Sequence, residues 1–460
     1  MNITRLSFFL TLTVSVTGGP TASITVSPKT GAPTSTTLLS GSGFGANGGA
    51  QIYFDSTPLV LVTADGSGVI SGVPITVPKS SVPGLHSITA RGQNEPVNPT
   101  ASFTVRTNWP QFHRGALHQG DNYLENVLNP SNVGRLTLRW GTAAAFDLEG
   151  SSPAIVDGVA YIGSYDKNIY AFNATTGVEI WSAATGGFIE SSPAVANGLV
   201  YAASQDGSLY AWQARTGSLV WKAATGGIGN SSPTVASGVV YIGSTDSNLY
   251  AFSAASGKLL WKAVTGGRID STPAVWNGMV YAGSADHSLY AFKIADGSLA
   301  WSVSTGGEVA YSPAVANGVV YFTSFDVAVY AVQAATGSLV WKFSQSGVRQ
   351  PPIVGDGIVY VGGYSNGVGS LMLALSAATG SLRWAVPASA SGALANGVLY
   401  TTVSQGLVAL HASTGIRLWE WPGGECFSAP VVVNGTLFAG CYEQGLLAFG
   451  LLPGSASEQP

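Results

Sequence analysis

Side chains able to do chemistry are sparse in this chain. Only 9% of its 460 residues are charged, and it holds five histidines and two cysteines. Glu190, Asn230 and Asp270 nevertheless recur at one spacing, each just ahead of a short apolar run. The equivalent positions elsewhere carry Gly150, Ala310, Arg349, Ser389 and Phe427, and two residues earlier stand Phe188, Ile228, Arg268, Glu308 and Glu425. Carboxylate and amide oxygens are the ligands of a hard cation. A concave ring of mixed charge and aromatics suits a small molecule. Phe188, Glu190, Asn230, Arg268, Asp270, Glu308 and Arg349 are therefore the candidate ligand-binding residues, with neutral drift of exposed loop residues as the competing reading. A second series, Asp166, Asp206, Asp246, Asp286, Asp326 and Glu443, reads instead as turn stabilisers, because Asp bonds to backbone two residues on. His86, His113, His118, His287 and His411 show no metal-ligand spacing, and His113 and His118 are expected to fix backbone. No nucleophile elbow, zinc helix or phosphate loop occurs, so no catalytic residue is assigned.

The elements that position these residues follow from a repeated turn. Asp157-Gly158, Asn197-Gly198, Ser237-Gly238, Asn277-Gly278, Asn317-Gly318, Asp356-Gly357, Asn396-Gly397 and Asn434-Gly435 recur at a step near 40 residues. Such pairs between apolar runs mark two-residue hairpins, whose type I′ turn needs positive φ at both positions. Residues 191–221 parse into four strands, Ser191 to Val195, Leu199 to Ser204, Ser208 to Trp212 and Ser218 to Trp221, which is the blade of a β-propeller. Tryptophan ends the fourth strand at Trp181, Trp221, Trp261, Trp301, Trp341, Trp384 and Trp419. Trp140 lies ahead of the first hairpin, and the last hairpin has no tryptophan after it. The segment from Arg135 to Trp140 must then complete the last blade, which predicts an eight-bladed ring closed by its own two ends. These eight tryptophans read as structural docking groups, with small Ala171, Ala211, Ala251 and Ala291 leaving room for the rings.

The remaining length divides as follows. Residues 1–20 carry Arg5 and an apolar stretch from Leu6 to Val16 that reads as a signal peptide and so implies a secreted or cell-envelope protein, with a frayed first strand of the next domain as the alternative. Residues 21–106 hold short alternating segments between Gly, Pro and Ser clusters, as in an immunoglobulin-like sandwich of about seven strands. Residues 107–135 form a lead-in segment, 136–450 the propeller and 451–460 a disordered tail. A net charge of −4 gives no footprint for nucleic acid, and no apolar run is long enough for a transmembrane span. Cys426 and Cys441 flank the last hairpin and are placed for a disulfide, with a pair of buried reduced thiols as the alternative.

The run Ala171-x-Asn173-Ala174-x-Thr176-Gly177-x-x-x-Trp181, repeated through Ala409 to Trp419, resembles the tryptophan-docking motif of the pyrroloquinoline-quinone (PQQ) propeller superfamily. Trp109-Pro110-Gln111-Phe112-His113-Arg114 resembles the lead-in of secreted PQQ-like repeat proteins, and Leu39 to Gly45 resembles the glycine-rich hairpin of IPT/TIG domains. The superfamily resemblance implies two functions. One is a non-catalytic binding or scaffold protein, expected as a monomer, with a protein, small-molecule or glycan ligand. The other is an oxidoreductase using PQQ and Ca2+. Quinoprotein dehydrogenases place adjacent cysteines over the quinone, whereas Cys426 and Cys441 stand fifteen positions apart. Resemblance to the propeller lipoprotein of the outer-membrane assembly machinery ranks last, since no cysteine precedes Cys426.

Overall fold

The computed structural model describes residues 21–92, 98–142, 148, 150–365, 369–388 and 392–452. The leader-like stretch, Ser389 and the tail beyond Leu452 lie outside the described residues. The chain divides into two compact units, Met1–Arg106 and Thr107–Pro460.

In the first unit a three-stranded sheet orders Ser23–Ser27, Thr36–Ser42 and Ile70–Thr76. A five-stranded sheet orders Thr30–Gly31, Thr100–Val105, Gly84–Gly92, Gly49–Phe54 and Thr57–Thr63. Alternation explains the core between them: Ile52, Phe54, Ile88, Ala90, Phe103 and Val105 all point inward and are buried.

The second unit consists of eight four-stranded antiparallel sheets in chain order. All eight hairpin turns adopt the backbone their sequences demand, with φ from 45° to 54° at the first residue and from 72° to 80° at the glycine. Seven sheets are built from consecutive strands; the second, for example, runs Ala194–Ala196, Leu199–Ser204, Ser208–Gln213, Leu219–Ala224. The eighth takes Val431–Val433, Thr436–Cys441 and Gly445–Gly450 from one end and Thr137–Gly141 from the other, with Ala448 opposite Trp140.

Two boundaries differ from the sequence reading. The inner strand begins at Ala194 rather than Ser191, because Ser191 O, Ser192 N–H and the Ser192 hydroxyl bond to neighbouring sheets instead of extending the ladder. The outer strand runs past its tryptophan to Ala224, since Lys222 to Ala224 still pair with Ser208 to Tyr210.

Each tryptophan docks one sheet onto the next. Trp181 donates its indole N–H to Ala214 O at 2.9 Å, Trp221 to Ala254 O at 3.0 Å, and Trp341 to Ala377 O at 2.9 Å. Tyrosines of the second strand reach the same carbonyls: Tyr161 to Ala214 and Tyr201 to Ala254, both at 3.1 Å. The alanines expected to make room are the direct cross-strand partners of the tryptophans, as Ala211 is of Trp221. The closest approach, however, comes from the turn glycine of the following sheet. A Cβ on Gly257 would lie 2.7 Å from the Trp221 ring, and one on Gly177 would lie 2.6 Å from the Trp140 ring. The last contact joins the eighth sheet to the first. Trp419 donates to Leu136 O at 3.1 Å, which joins the seventh to the eighth.

Cys426 and Cys441 form a disulfide with both residues buried, tying the lead-in of the eighth inner strand to the end of its neighbour.

Candidate functional site

The inner strands would expose unpaired backbone N–H and C=O groups to the central channel, and buried backbone polar groups need partners. The lead-in segment supplies them, sheet by sheet. Ile155 N–H donates to Trp109 O, Val195 to Pro110 O, and Val235 to the Gln111 side-chain Oε1. Val275 donates to Ala116 O, Val315 to Leu117 O, Val354 to Gln119 O, and Leu394 to Gly120 O, at 2.7–2.8 Å. On the eighth sheet the Asn122 Nδ2 donates to Val432 O at 2.8 Å. Residues 109–122 thus form a strap that circles the channel and touches all eight inner strands. Sequence reading saw only a lead-in here.

The strap is itself held by buried groups. His113 Nδ1 lies 3.3 Å from His118 O and His118 Nδ1 lies 3.3 Å from Pro313 O, so both histidines do fix backbone, while His118 Nε2 lies 3.0 Å from Thr234 Oγ1. Burial lowers their pKa values to about 4 for His113 and about 3 for His118, which keeps both rings neutral. Glu125 accepts from Val127, Leu128 and Gly435 N–H. Asp121 is pushed up to about 7 by burial and by Asp356, against the opposing charge of Arg114.

That value sets a pH dependence. A carboxyl with a raised folded-state pKa favours the folded protein fully below the ordinary carboxylate range, and this contribution is lost as pH rises through about 7. The two histidines act in the opposite sense, losing their contribution as pH falls below the ordinary imidazole range. Comparing thermal unfolding of the protein and Asp121→Asn from about pH 5 to pH 8 isolates the carboxyl. The variant should gain relative stability as pH rises; parallel curves would contradict the assignment.

Along each inner strand the strap contacts lie late and the candidate residues early. Between the strap and the mouth lies a cavity of about 390 Å³, a cup with Phe112 of the strap in its lining. Phe112 is half-buried and stacks on His113 at 4.1 Å. The wall is a belt of hydroxyls from the repeated Ser-Ser-Pro and Ser-Thr-Pro runs. Ala429 N–H donates to Ser152 Oγ, Ser152 N–H to Ser192 Oγ, Ser192 N–H to Ser232 Oγ, Ser232 N–H to Thr272 Oγ1, and Thr272 N–H to Ser312 Oγ, at 2.8–3.0 Å. On the sixth and eighth sheets Pro351 and Ala429 replace the hydroxyl, so the wall is polar on one side and apolar on the other.

The cup brings together Asn230, Arg268 and Asp270 of the candidate set. Arg268 Nε bonds to Asp270 Oδ2 at 2.6 Å and its Nη2 to Glu308 Oε2 at 3.2 Å, which draws Glu308 to the same point. Arg349 lies 5.1 Å over the ring of Phe325, a lining residue. Phe188 and Glu190 belong to a separate cluster outside the cup lining. Phe188 stacks on Tyr165 at 5.3 Å, while Glu190 accepts from Tyr165 OH at 2.5 Å and from Gln205 Nε2 at 2.9 Å. The series Asp166, Asp206, Asp246, Asp286 and Asp326 accepts a tyrosine O–H from the third strand, at 2.5–2.7 Å. It does not reach the cup.

Sequence reasoning missed Phe112, the hydroxyl belt, Tyr311, Phe325 and Gln350. A signal for two of them was present. At the position before the belt, Ser151, Ser191, Ser231, Ser271 and Ser428 each accept the N–H of a second-strand residue, and only the fifth and sixth sheets place Tyr311 and Gln350 there among the described residues.

The oxygen donors fit calcium poorly. Calcium takes six to eight oxygens at about 2.3–2.6 Å. Asp270 and Glu308 are instead joined by a guanidinium, both Glu190 oxygens are bonded elsewhere, and no group of three acidic, His or Cys residues among the described residues is placed for a metal.

A ring of four-stranded sheets, docked by one tryptophan each, defines a β-propeller of PQQ-like repeats. The model of the PQQ_2 family, described as outer membrane protein assembly factor BamB, matches residues 131–227, 205–420 and 304–457, so the chain belongs to that family. No curated protein matches it by sequence. Among solved structures it is similar to the quinohemoprotein alcohol dehydrogenase of Comamonas testosteroni, with TM-score 0.65, 16% identity, 75% of this chain and 80% of that one covered. A europium-containing methanol dehydrogenase gives TM-score 0.63 and 14% identity over 72% and 89% of the two chains. BamB of Moraxella catarrhalis gives TM-score 0.59 and 16% identity over 69% and 98%. At these identities the likeness is one of fold.

Proposed function

We propose that this is a secreted or cell-envelope binding protein, without catalytic activity, that seats a ligand in the cup at the mouth of an eight-bladed propeller. In this reading each four-stranded sheet is one blade, the strand Thr137–Gly141 closes the ring, and the protein works as a monomer. Residues 21–106 serve as an immunoglobulin-like spacer of the IPT/TIG kind. The leader-like start of the sequence supports export, and the net charge of −4 argues against nucleic acid as partner.

The observation that carries the reading is the tying of Asp270 and Glu308 to Arg268. It leaves a walled polar cup whose acidic groups are committed to a guanidinium rather than poised around a cation. Membership of the family described by an assembly factor supports a binding or scaffold role. The fold likeness to alcohol and methanol dehydrogenases supports the alternative, a PQQ- and calcium-dependent oxidoreductase. Were PQQ present, it would supply the hydride- or electron-accepting quinone; Arg268 offers one cationic contact for its carboxylates, but no calcium cage accompanies it.

A dye-linked oxidation assay with PQQ, Ca2+ or a lanthanide, and a panel of alcohols separates the two. The binding reading expects no turnover, and expects small molecules found by thermal shift to lose their effect in Ala310→Trp, which fills the mouth. Turnover above the no-protein control would overturn it.

A further inference from the structure

We infer that the cup recognises a neutral saccharide, an inference that rests on the binding reading above and names its ligand class. Charge decides the first point. Among the described residues the only charged side chains lining the cup, Arg268 and Asp270, pair at 2.6 Å, and the two charges beside it, Glu308 bonded to Arg268 and Arg349 over Phe325, offset each other. An anionic or cationic ligand would have to break that pair or remain unmatched, whereas a neutral one leaves it intact.

Hydrogen-bonding capacity decides the second. The belt hydroxyls already accept backbone N–H groups through their oxygens, so their own hydrogens are what they offer inward. Asn230 and Gln350 add amide groups that both donate and accept, and Asp270 adds an acceptor. A partner that answers donors and acceptors at close spacing is one bearing several adjacent hydroxyls.

Apolar surface decides the third. Phe112, Tyr311, Phe325 and Phe427 also line the cup, and an aromatic face, negative at its centre, attracts the slightly positive C–H face of a pyranose. A sugar ring likewise presents polar edges and an apolar face, which match the polar and the apolar side of this wall. The volume of about 390 Å³ falls at the lower end of small-molecule sites, which suits a mono- or disaccharide.

Tyr311 and Gln350 are the specificity-determining residues of this arrangement, since they stand where five other sheets carry a structural serine. Tyr311→Ser and Gln350→Ser therefore restore the repeat rather than damage it. The full chain is titrated calorimetrically, and by saturation-transfer NMR, with glucose, galactose, mannose, N-acetylglucosamine, maltose and cellobiose. Gluconate and glucosamine serve as charged analogues, and PQQ as a non-sugar control.

At least one neutral sugar should bind, its charged analogue about tenfold or more weakly, and both serine variants should lose about tenfold in affinity with unchanged melting temperature. Binding of none of the neutral sugars, tighter binding of the charged analogues, or undiminished binding by both variants would overturn the inference. If PQQ binds while every neutral sugar fails, the saccharide inference falls and a binding role for the cup survives. Turnover in the dye-linked assay would instead remove the binding reading beneath it.

Discussion

Replacing Trp221 by alanine should lower the unfolding free energy by roughly 3–5 kcal/mol, the range for truncating a large buried aromatic. The ring is 9% exposed and fills the interface between the second and third sheets. Its loss removes packing against Gly257 and Tyr201 and leaves Ala254 O with only the Tyr201 hydroxyl. The cavity cannot close by a small shift, because Gly257 sits in a turn held at φ 67°. Chemical denaturation of the variant checks this, and a loss under about 1 kcal/mol would mean that the indole is not an interface group.

Trp109→Ala should have an effect of similar size, roughly 3–5 kcal/mol, through a different part of the fold. Trp109 is 1% exposed and belongs to the buried cluster that includes Leu128 of the lead-in, Ile155 and Phe172 of the first sheet and Val433 of the eighth. Its backbone exchanges two hydrogen bonds with Ile155, at 2.7 and 2.8 Å. Truncation should therefore weaken the start of the strap as well as the seam where the ring closes. Denaturation together with limited proteolysis distinguishes this from Trp221→Ala: cleavage should appear between Trp109 and Asn122 in the first variant and not in the second. Equal protease resistance of that segment in both would contradict a structural role for the strap.

The parts of this fold that were legible in the sequence are those built from local rules repeated many times. A turn needing two positive φ values selects Asn-Gly whatever surrounds it, and a docking indole needs a small partner in every sheet. That the segment from Arg135 to Trp140 completes the last sheet followed from counting strands, since an unclosed edge would be costly, and Thr137–Gly141 does pair with Leu447 to Gly450. The strap was not legible for the opposite reason. Its residues occur once, without periodicity, and their partners are amides up to some three hundred positions away, which carry no side-chain signal. The cup inherits that blindness, because Phe112 comes from the strap.

Of the candidate rim residues, Asn230, Arg268 and Asp270 face the cup, and Glu308 joins them through Arg268. Phe188 and Glu190 turn aside because Tyr165 and Gln205 offer them nearer partners. Repeat equivalence gives the position of a residue along the strand and says nothing about which neighbour captures its side chain. In the first unit Thr57–Thr63 carries no alternation to read, because Pro58 and the unbroken Leu59 to Val62 hide it.

Amide hydrogen exchange of the full chain, followed by mass spectrometry, probes the closed channel most directly. If residues 109–122 lie within the ring, their amides that bond to the inner strands, together with those of Val195, Val275, Val315 and Leu394, should exchange only through global unfolding, as slowly as the central strands of each sheet. Rapid exchange of that segment and of those four inner amides, against a background of protected outer strands, would mean an open channel and no cup.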